Sequence, residues 1–387
     1  MVRSLRHAGY KAFWAGGCVR DMLLGHEPAD YDVATDALPD QVLELFPRCV
    51  EVGRAFGVIQ VLLPAGAYDV ATFRAESSYT DGRRPDEVSW SHPREDVLRR
   101  DFTINGLLYD PIEKELVDFV GGEADLKAQI VRAIGEPAAR FEEDSLRVLR
   151  ALRFSARLGF SIEERTWEAL KVAAPDIERI SVERVKGELQ RLLTEGGALH
   201  GLQLLQNVGL WSFVLPEITK PDAAIQRFRA HGKLNPALAW ANLFWGQGLT
   251  LKQIRELGTR LRFSNELMES IKNMVLAADS LTQYPSLPIS ERKRIVRQSC
   301  FVDATVLLSA ESALHEAIAE ATEELHGWSQ EDLNPAPLLN GQSLAQAGYK
   351  PGPFFGTVLR AVEDLQLTGE LNTKEEALAF VAEQAKK

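Results

Sequence analysis

Apolar and polar positions change their period once along this 387-residue chain. Up to about residue 120, short apolar runs rich in Val, Tyr and Phe are punctuated by turn residues, the pattern of strands. Ala12–Ala15, Tyr31–Ala34, Gly57–Leu62 and Tyr68–Phe73 are predicted as strands. Pro39–Phe46 is predicted as a helix, with Asp36 or Leu38 near its start and Pro47 ending it. Between about Glu76 and Glu95 the chain turns polar and turn-rich. That predicts a long loop, a feature that in compact domains is usually functional or disordered. Beyond Pro137 the helical period takes over and holds to about Ala382. Glu142–Leu158, Glu163–Val172 and Val182–Leu193 are the first predicted helices, with Leu146, Leu149 and Leu152 as the core stripe of the first. Pro285-Ser286-Leu287-Pro288 and Asn334-Pro335-Ala336-Pro337 read as joints between helical units.

Length and composition narrow this picture. A chain of 387 residues exceeds one ordinary core, so two to four structural units are expected. Its 45% hydrophobic and 26% charged content is that of a soluble globular protein, and no apolar stretch reaches membrane-spanning length. Cys18, Cys49 and Cys300 are scattered without CxxC spacing, which argues against zinc and for a reducing, cytoplasmic setting. A formal net charge of −11 is awkward for a nucleic-acid binder. Local basic clusters matter more than the total, however. Arg83-Arg84, Arg99-Arg100, the run from Arg147 to Arg157 and Arg292-Lys293-Arg294 supply them.

The chemistry concentrates near the N-terminus. Ala15-Gly16-Gly17-Cys18-Val19-Arg20-Asp21 follows the first apolar run and leads into Met22-Leu23-Leu24-Gly25, a short helical stretch. Asp30-Tyr31-Asp32 comes next, in a segment reading as a strand. Alternate strand residues share a face, so Asp30 and Asp32 are expected side by side with Tyr31 turned away. Two carboxylates held that closely are usually reconciled by a divalent cation. Glycines beside them let backbone N–H groups approach phosphate oxygens. Asp69, alternating within a predicted strand, is a candidate third metal ligand. A solvated loop is the plain alternative for Asp-Tyr-Asp alone, but not for the combination.

The combination resembles the active-site signature of the nucleotidyltransferases that build tRNA 3′ ends and of bacterial poly(A) polymerases. These share a DNA-polymerase-β-like head. In that resemblance Gly16, Gly17 and Arg20 fall at triphosphate-binding positions, and Asp30 and Asp32 are catalytic metal ligands. Leu98-Arg99-Arg100-Asp101-Phe102-Thr103-Ile104-Asn105-Gly106-Leu107 resembles the second signature, in which Arg99, Arg100, Asp101 and Asn105 line ribose and phosphates. Gly106 stands where the family more often has Ala. Asp118-Phe119-Val120-Gly121-Gly122 matches the third signature, a turn expected to link head to neck. Glu183-Arg184 with Glu188-Leu189 resembles a helix-linking signature, and the stretch from Gly341 to Pro353 the family's closing tail. No His-Asp dipeptide exists among the seven histidines, so no second, phosphohydrolase site is expected.

Glu142-Glu143-Asp144-Ser145-Leu146-Arg147 carries the remaining chemistry. On a continuous helix Asp144 and Arg147, three apart, share a face. The carboxylate only accepts hydrogen bonds and the guanidinium only donates. Cytosine and adenine each show an exocyclic amine beside a bare ring nitrogen, which such a pair can meet. Guanine and uracil would set a carbonyl against the carboxylate, and a matched contact discriminates by about 1–3 kcal/mol. An i,i+3 ion pair on a solvated helix face is the plain alternative. In the family the Asp and first Arg select the base, and Arg150 and Arg153 contact the nucleotide.

The resemblance implies an α+β chain: a polymerase-β-like head with a mixed sheet over residues 1–137, a helical neck with the base reader over 138–205, and a helical body and tail over 206–387. It implies addition of CMP and AMP, from CTP and ATP, to a tRNA 3′ end by two-metal nucleotidyl transfer, with Asp30 and Asp32 holding both Mg2+ ions. An A-adding enzyme, a poly(A) polymerase and a catalytically inactive RNA-binding protein are the alternatives. Intact Asp30 and Asp32 count against the last. Oligomeric state is not legible.

Overall fold

A computed structural model describes residues 1–77 and 87–386. The chain forms two compact units, Met1–Pro221 and the chain from Asp222 on.

In the first unit, α1 (Val2–His7) leads into β1 (Ala12–Ala15), α2 (Gly17–Leu23), β2 (Val33–Thr35) and α3 (Pro39–Leu45). Next come β3 (Cys49–Gly53), β4 (Val58–Leu63) and β5 (Gly66–Thr72). A separate ribbon pairs β6 (Arg74–Ser77) with β7 (Glu87–Trp90), and α4 (Pro93–Leu98) follows it. The predicted loop is therefore partly regular, because its ends pair with each other; residues 78–86 at its centre lie outside the described residues. β8 (Leu107–Asp110) and β9 (Glu115–Asp118) complete a seven-stranded sheet in the order β3-β4-β5-β2-β1-β8-β9. It is mixed: β2 and β5 run parallel, and the other pairs antiparallel.

One apolar cluster, with Leu5, Ala12, Val33, Val42, Ile59 and Val70, seats α1 and α3 against the sheet. A second, with Ala15, Ala34, Phe73, Val97 and Leu108, draws in α4.

The third signature is a turn inside this unit, joining β9 to α5 (Gly122–Ala128). The Asp118 carboxylate accepts from the amides of Val120, Gly121, Gly122 and Glu123 at 2.9–3.1 Å and so fixes the start of the helix. β10 (Ile130–Val131) then leads to α6 (Pro137–Glu143) and α7 (Leu146–Leu158), so the predicted helix Glu142–Leu158 is cut near its start, its first two residues ending α6. The chain breaks at Asp144, with φ −151° and ψ 98°, because its Oδ1 accepts from the Leu146 amide at 3.1 Å and its Oδ2 from Arg184 at 2.7 Å. β11 (Ser161–Ile162) pairs with β10, and α8 (Glu164–Ala173), α9 (Val182–Thr194) and α10 (Ala198–Asn207) close the bundle around α7.

The second unit is helical throughout its described residues. The rings of Trp240, Phe244 and Phe263 meet at 5.0–6.4 Å in its core. Buried Arg227 caps the helix Pro236–Phe244 by donating to the carbonyls of Asn242 and Trp245. Leu344, Val358, Val362, Ala377 and Val381 form a further apolar cluster near the C-terminus.

Candidate active site

A cleft of about 800 Å³ opens in the first unit. Its walls come from the β1–α2 turn, the approach to β2, the end of α4, and the facing sides of α7 and α9.

Gly16 turns β1 into α2 at φ +74°, where a side chain would be strained, and a Cβ there would stand 2.8 Å from Arg100 Nη1. The Gly16 amide donates to the Leu107 carbonyl at 3.0 Å and so belongs to the β1–β8 pairing. Arg20, 3% exposed, donates through Nε to Asp21 at 2.7 Å and through Nη1 to Asn105 Oδ1 at 2.6 Å.

Asp30 and Asp32 lie just before β2 rather than inside it. The Ala15 amide donates to the Asp32 carbonyl at 3.0 Å, which extends the pairing and preserves the alternation. Both carboxylates line the cleft, while the Tyr31 ring packs on Trp14 at 4.8 Å. Pairing of Val33 with Val70 brings Asp69 beside Asp32. Solvent reaches Asp32, yet its carboxyl is pushed up to about 6. The cleft walls strip part of its hydration, the charges of Asp30 and Asp69 add to this, and Arg100 opposes it. Asp69 Oδ1 accepts from Gln60 Nε2 at 3.0 Å, which leaves Oδ2 without a named bond on the side of Asp32.

The second signature is pinned from below. Asp96, 1% exposed, accepts from Arg99 on Oδ1 at 2.7 Å and from Arg100 on Oδ2 at 3.1 Å. Asp101 accepts from the Asn105 side chain at 3.0 Å and from Arg150 at 2.6 and 2.8 Å. Burial alone would raise the Asp101 carboxyl; Arg150, Asn105 and the Phe102 amide outweigh it and hold the group at about 2.

Asp144 and Arg147 both face the cleft but not as a helical i,i+3 pair, since Asp144 sits in the break. Arg147 is held instead by Glu143 at 2.8 Å and by the carbonyls of Arg140 and Arg99 at 3.0 and 3.1 Å. Arg153 donates to Glu188 at 2.7 Å and to Glu195 at 3.0 Å. Nine arginines and six carboxylates line the cleft, so it is locally cationic in a chain of net charge −11.

Comparison with known proteins is decisive at this point. The family model for the poly A polymerase head domain matches residues 12–132. That for the RNA and SrmB-binding site of polymerase A matches 159–220, and that for tRNA nucleotidyltransferase domain 2 matches 235–382. The CCA-adding enzyme of Levilactobacillus brevis is 34% identical over 98% of this chain and 95% of its own. That of Limosilactobacillus reuteri is 33% identical over 96% and 92%. The chain belongs to the CCA-adding enzymes.

The crystal structure of the Bacillus stearothermophilus CCA-adding enzyme in complex with CTP superposes with a TM-score of 0.72 at 26% identity, over 100% of this chain and 96% of that one. As a CCA-adding enzyme the chain is a nucleotidyltransferase, and the family works with a divalent metal. Among its described residues no helix is long and apolar enough to cross a membrane.

Sequence reasoning missed four side chains that this member of the family uses to build the cleft. Asp96 stands three and four residues before the arginines it holds, a helical spacing that would have found it had α4 been predicted. Phe154 lies under three guanidiniums. Glu195 and Arg157 join α9 and α7 to Asp21. Arg20, Asp21 and the α7–α9 pairings come from distant segments and left no local pattern.

Proposed function

We propose that the cleft of the first unit adds CMP and AMP, from CTP and ATP, to the 3′ end of tRNA without a nucleic-acid template. The observation that carries this reading is convergence. The Asp30–Asp32 pair, the arginine cluster and the Asp144/Arg147 pair, from segments spread over more than 100 residues, open onto one cleft.

Both metal ions of a two-metal transfer would sit on Asp30 and Asp32. Their hard oxygen donors and crowded negative charge, expressed in the raised Asp32 carboxyl, suit a divalent cation, and Mg2+ fits best for a substrate that brings its own phosphates. When bound, it supplies charge compensation to the attacking and leaving oxygens.

The chain's own residues do the rest. Arg20, Arg150 and Arg153 offer positive charge to the triphosphate, and Arg99, Arg100, Asp101 and Asn105 shape the seat for ribose and phosphates. Asp144 keeps lone pairs beyond those taken by Leu146 and Arg184, and the Arg147 guanidinium has five N–H donors, more than its three named bonds use. Both edges stay available to a base and are oriented before it arrives. That preorganisation suits selection of cytosine and adenine by the protein itself.

Replacing Asp32 tests the reading. In Asp32→Ala, incorporation of both nucleotides is expected to vanish while tRNA affinity stays near wild type. Incorporation above a few per cent of the wild-type rate would remove the metal role.

A further inference from the structure

Three guanidiniums converge on one benzene ring beneath the cleft. The Cζ atoms of Arg20, Arg150 and Arg153 lie 5.2, 5.4 and 4.2 Å from the centroid of Phe154. Phe154 is 5% exposed and lines the cleft, and its ring meets Phe102 edge-on at 5.9 Å. Arg150 and Arg153 precede Phe154 by four and one residues on α7, whereas Arg20 comes from α2, so the fold and not the sequence adds the third guanidinium.

Each guanidinium spends N–H donors in its own plane on carboxylates: Arg20 on Asp21, Arg150 on Asp101, and Arg153 on Glu188 and Glu195. An in-plane donor turned to a carboxylate is one fewer for phosphate. A ring holds a guanidinium without using any donor, because its quadrupole attracts the cation electrostatically from the face. An aliphatic side chain of similar volume would fill the space and leave the three like charges unopposed at that point. The charges do repel one another: Arg20 is shifted down from the usual arginine range by burial and, with Asp21 acting against it, by the charges of Arg157 and Arg153.

We infer that Phe154 is a positioning residue for nucleotide binding, gathering Arg20, Arg150 and Arg153 by cation–π attraction and leaving donor edges for the triphosphate. This rests on the reading that the cleft takes a nucleoside triphosphate.

The test replaces Phe154 in the full chain by mono-, di- and trifluorophenylalanine, which weaken the ring's negative face with little change in volume. CTP binding is measured by calorimetry, CMP incorporation by initial rates, and folding by thermal midpoint. The same series at Phe141, a fully buried ring of α6, is the control. The CTP dissociation constant and KM are expected to rise stepwise with fluorination, roughly tenfold across the series, with kcat and the thermal midpoint little changed and the Phe141 series flat. Phe154→Leu is expected to bind CTP at least as weakly as the trifluoro variant. A flat Phe154 series in a protein that binds CTP overturns the inference and leaves the nucleotide reading standing. So does a rise matched by the Phe141 series or by a falling midpoint. If the wild-type chain binds no CTP, or binds it equally after Arg150→Ala, the nucleotide reading fails and the inference with it.

Discussion

Asp101 and Arg150 lie 49 residues apart in sequence and 2.6 Å apart across the cleft wall. Their pairing makes a titration argument possible. The folded-state value of the Asp101 carboxyl, about 2, is below the ordinary carboxylate value. Its contribution is therefore fully present above about pH 4 and is lost as pH falls through about 2. The size is on the order of 2 kcal/mol. Wild type is expected to be more stable than Asp101→Asn at neutral pH, with the gap closing between about pH 4 and pH 2. Thermal unfolding of both proteins across that range measures it, and a pH-independent gap would show that Asp101 is not charged in the folded chain. At this scale the sequence was informative about identity and silent about partnership. Asp101 and Arg150 both belonged to recognisable stretches, but nothing local says that one neutralises the other. Asp96 differs: its i,i+3 and i,i+4 spacing to Arg99 and Arg100 was in the sequence, but it shows only once α4 is predicted as a helix.

Two junctions between elements set the shape of the cleft. The first is the contact between α5 and the turn Thr103–Asn105, where Gly122 leaves no room: a Cβ there would lie 2.2 Å from the Thr103 carbonyl oxygen, a backbone atom. Gly122→Ala is expected to lower the thermal midpoint of the first unit by about 5–10 °C and to weaken nucleotide binding through Asn105. Calorimetry of folding and CTP titration check both halves; an unchanged midpoint would mean that the contact is slack. The second junction is the break between α6 and α7. Arg184 holds the Asp144 carboxylate there at 2.7 Å. Freeing that carboxylate in Arg184→Ala is expected to relax base choice, so that UTP or GTP is used more readily. Lost rate with an unchanged preference for CTP and ATP would make the contact merely structural.

Element positions were largely legible where periodicity was strong: β1 matches its prediction, and β4, β5, α3, α8 and α9 match to within a residue or two. The break at Asp144 was not, because Glu142, Glu143 and Asp144 read as a polar first turn of the helix whose stripe starts at Leu146, and the arginine that stabilises the extended residue comes 40 positions later. β3 was missed because its short Val50-Glu51-Val52 alternation turns its apolar side chains to solvent at the sheet edge, and β8 and β9 because a four-residue hairpin strand carries little pattern.

At the scale of the molecule, the total charge misleads and the distribution informs. The cleft gathers nine arginines against six carboxylates while the chain as a whole stays at −11. A polyanionic ligand is drawn by that local field rather than by the sum. Helical class was legible for the second unit, but its inner contacts were not. The sequence held no sign that Arg227 would be buried as a helix cap or that Lys293, 8% exposed, would donate to the Leu367 carbonyl at 2.8 Å. What the whole chain does as one enzyme is open to a single direct measurement. Purified protein is given labelled CTP and ATP with three tRNAs, ending before CCA, at C and at CC, and the products are sequenced. The expected result is C-C-A, C-A and A respectively, with extension stopping at the terminal A. AMP added only to the tRNA ending in CC, or an A tract of no fixed length, would contradict the assignment of both cytosine and adenine to this cleft.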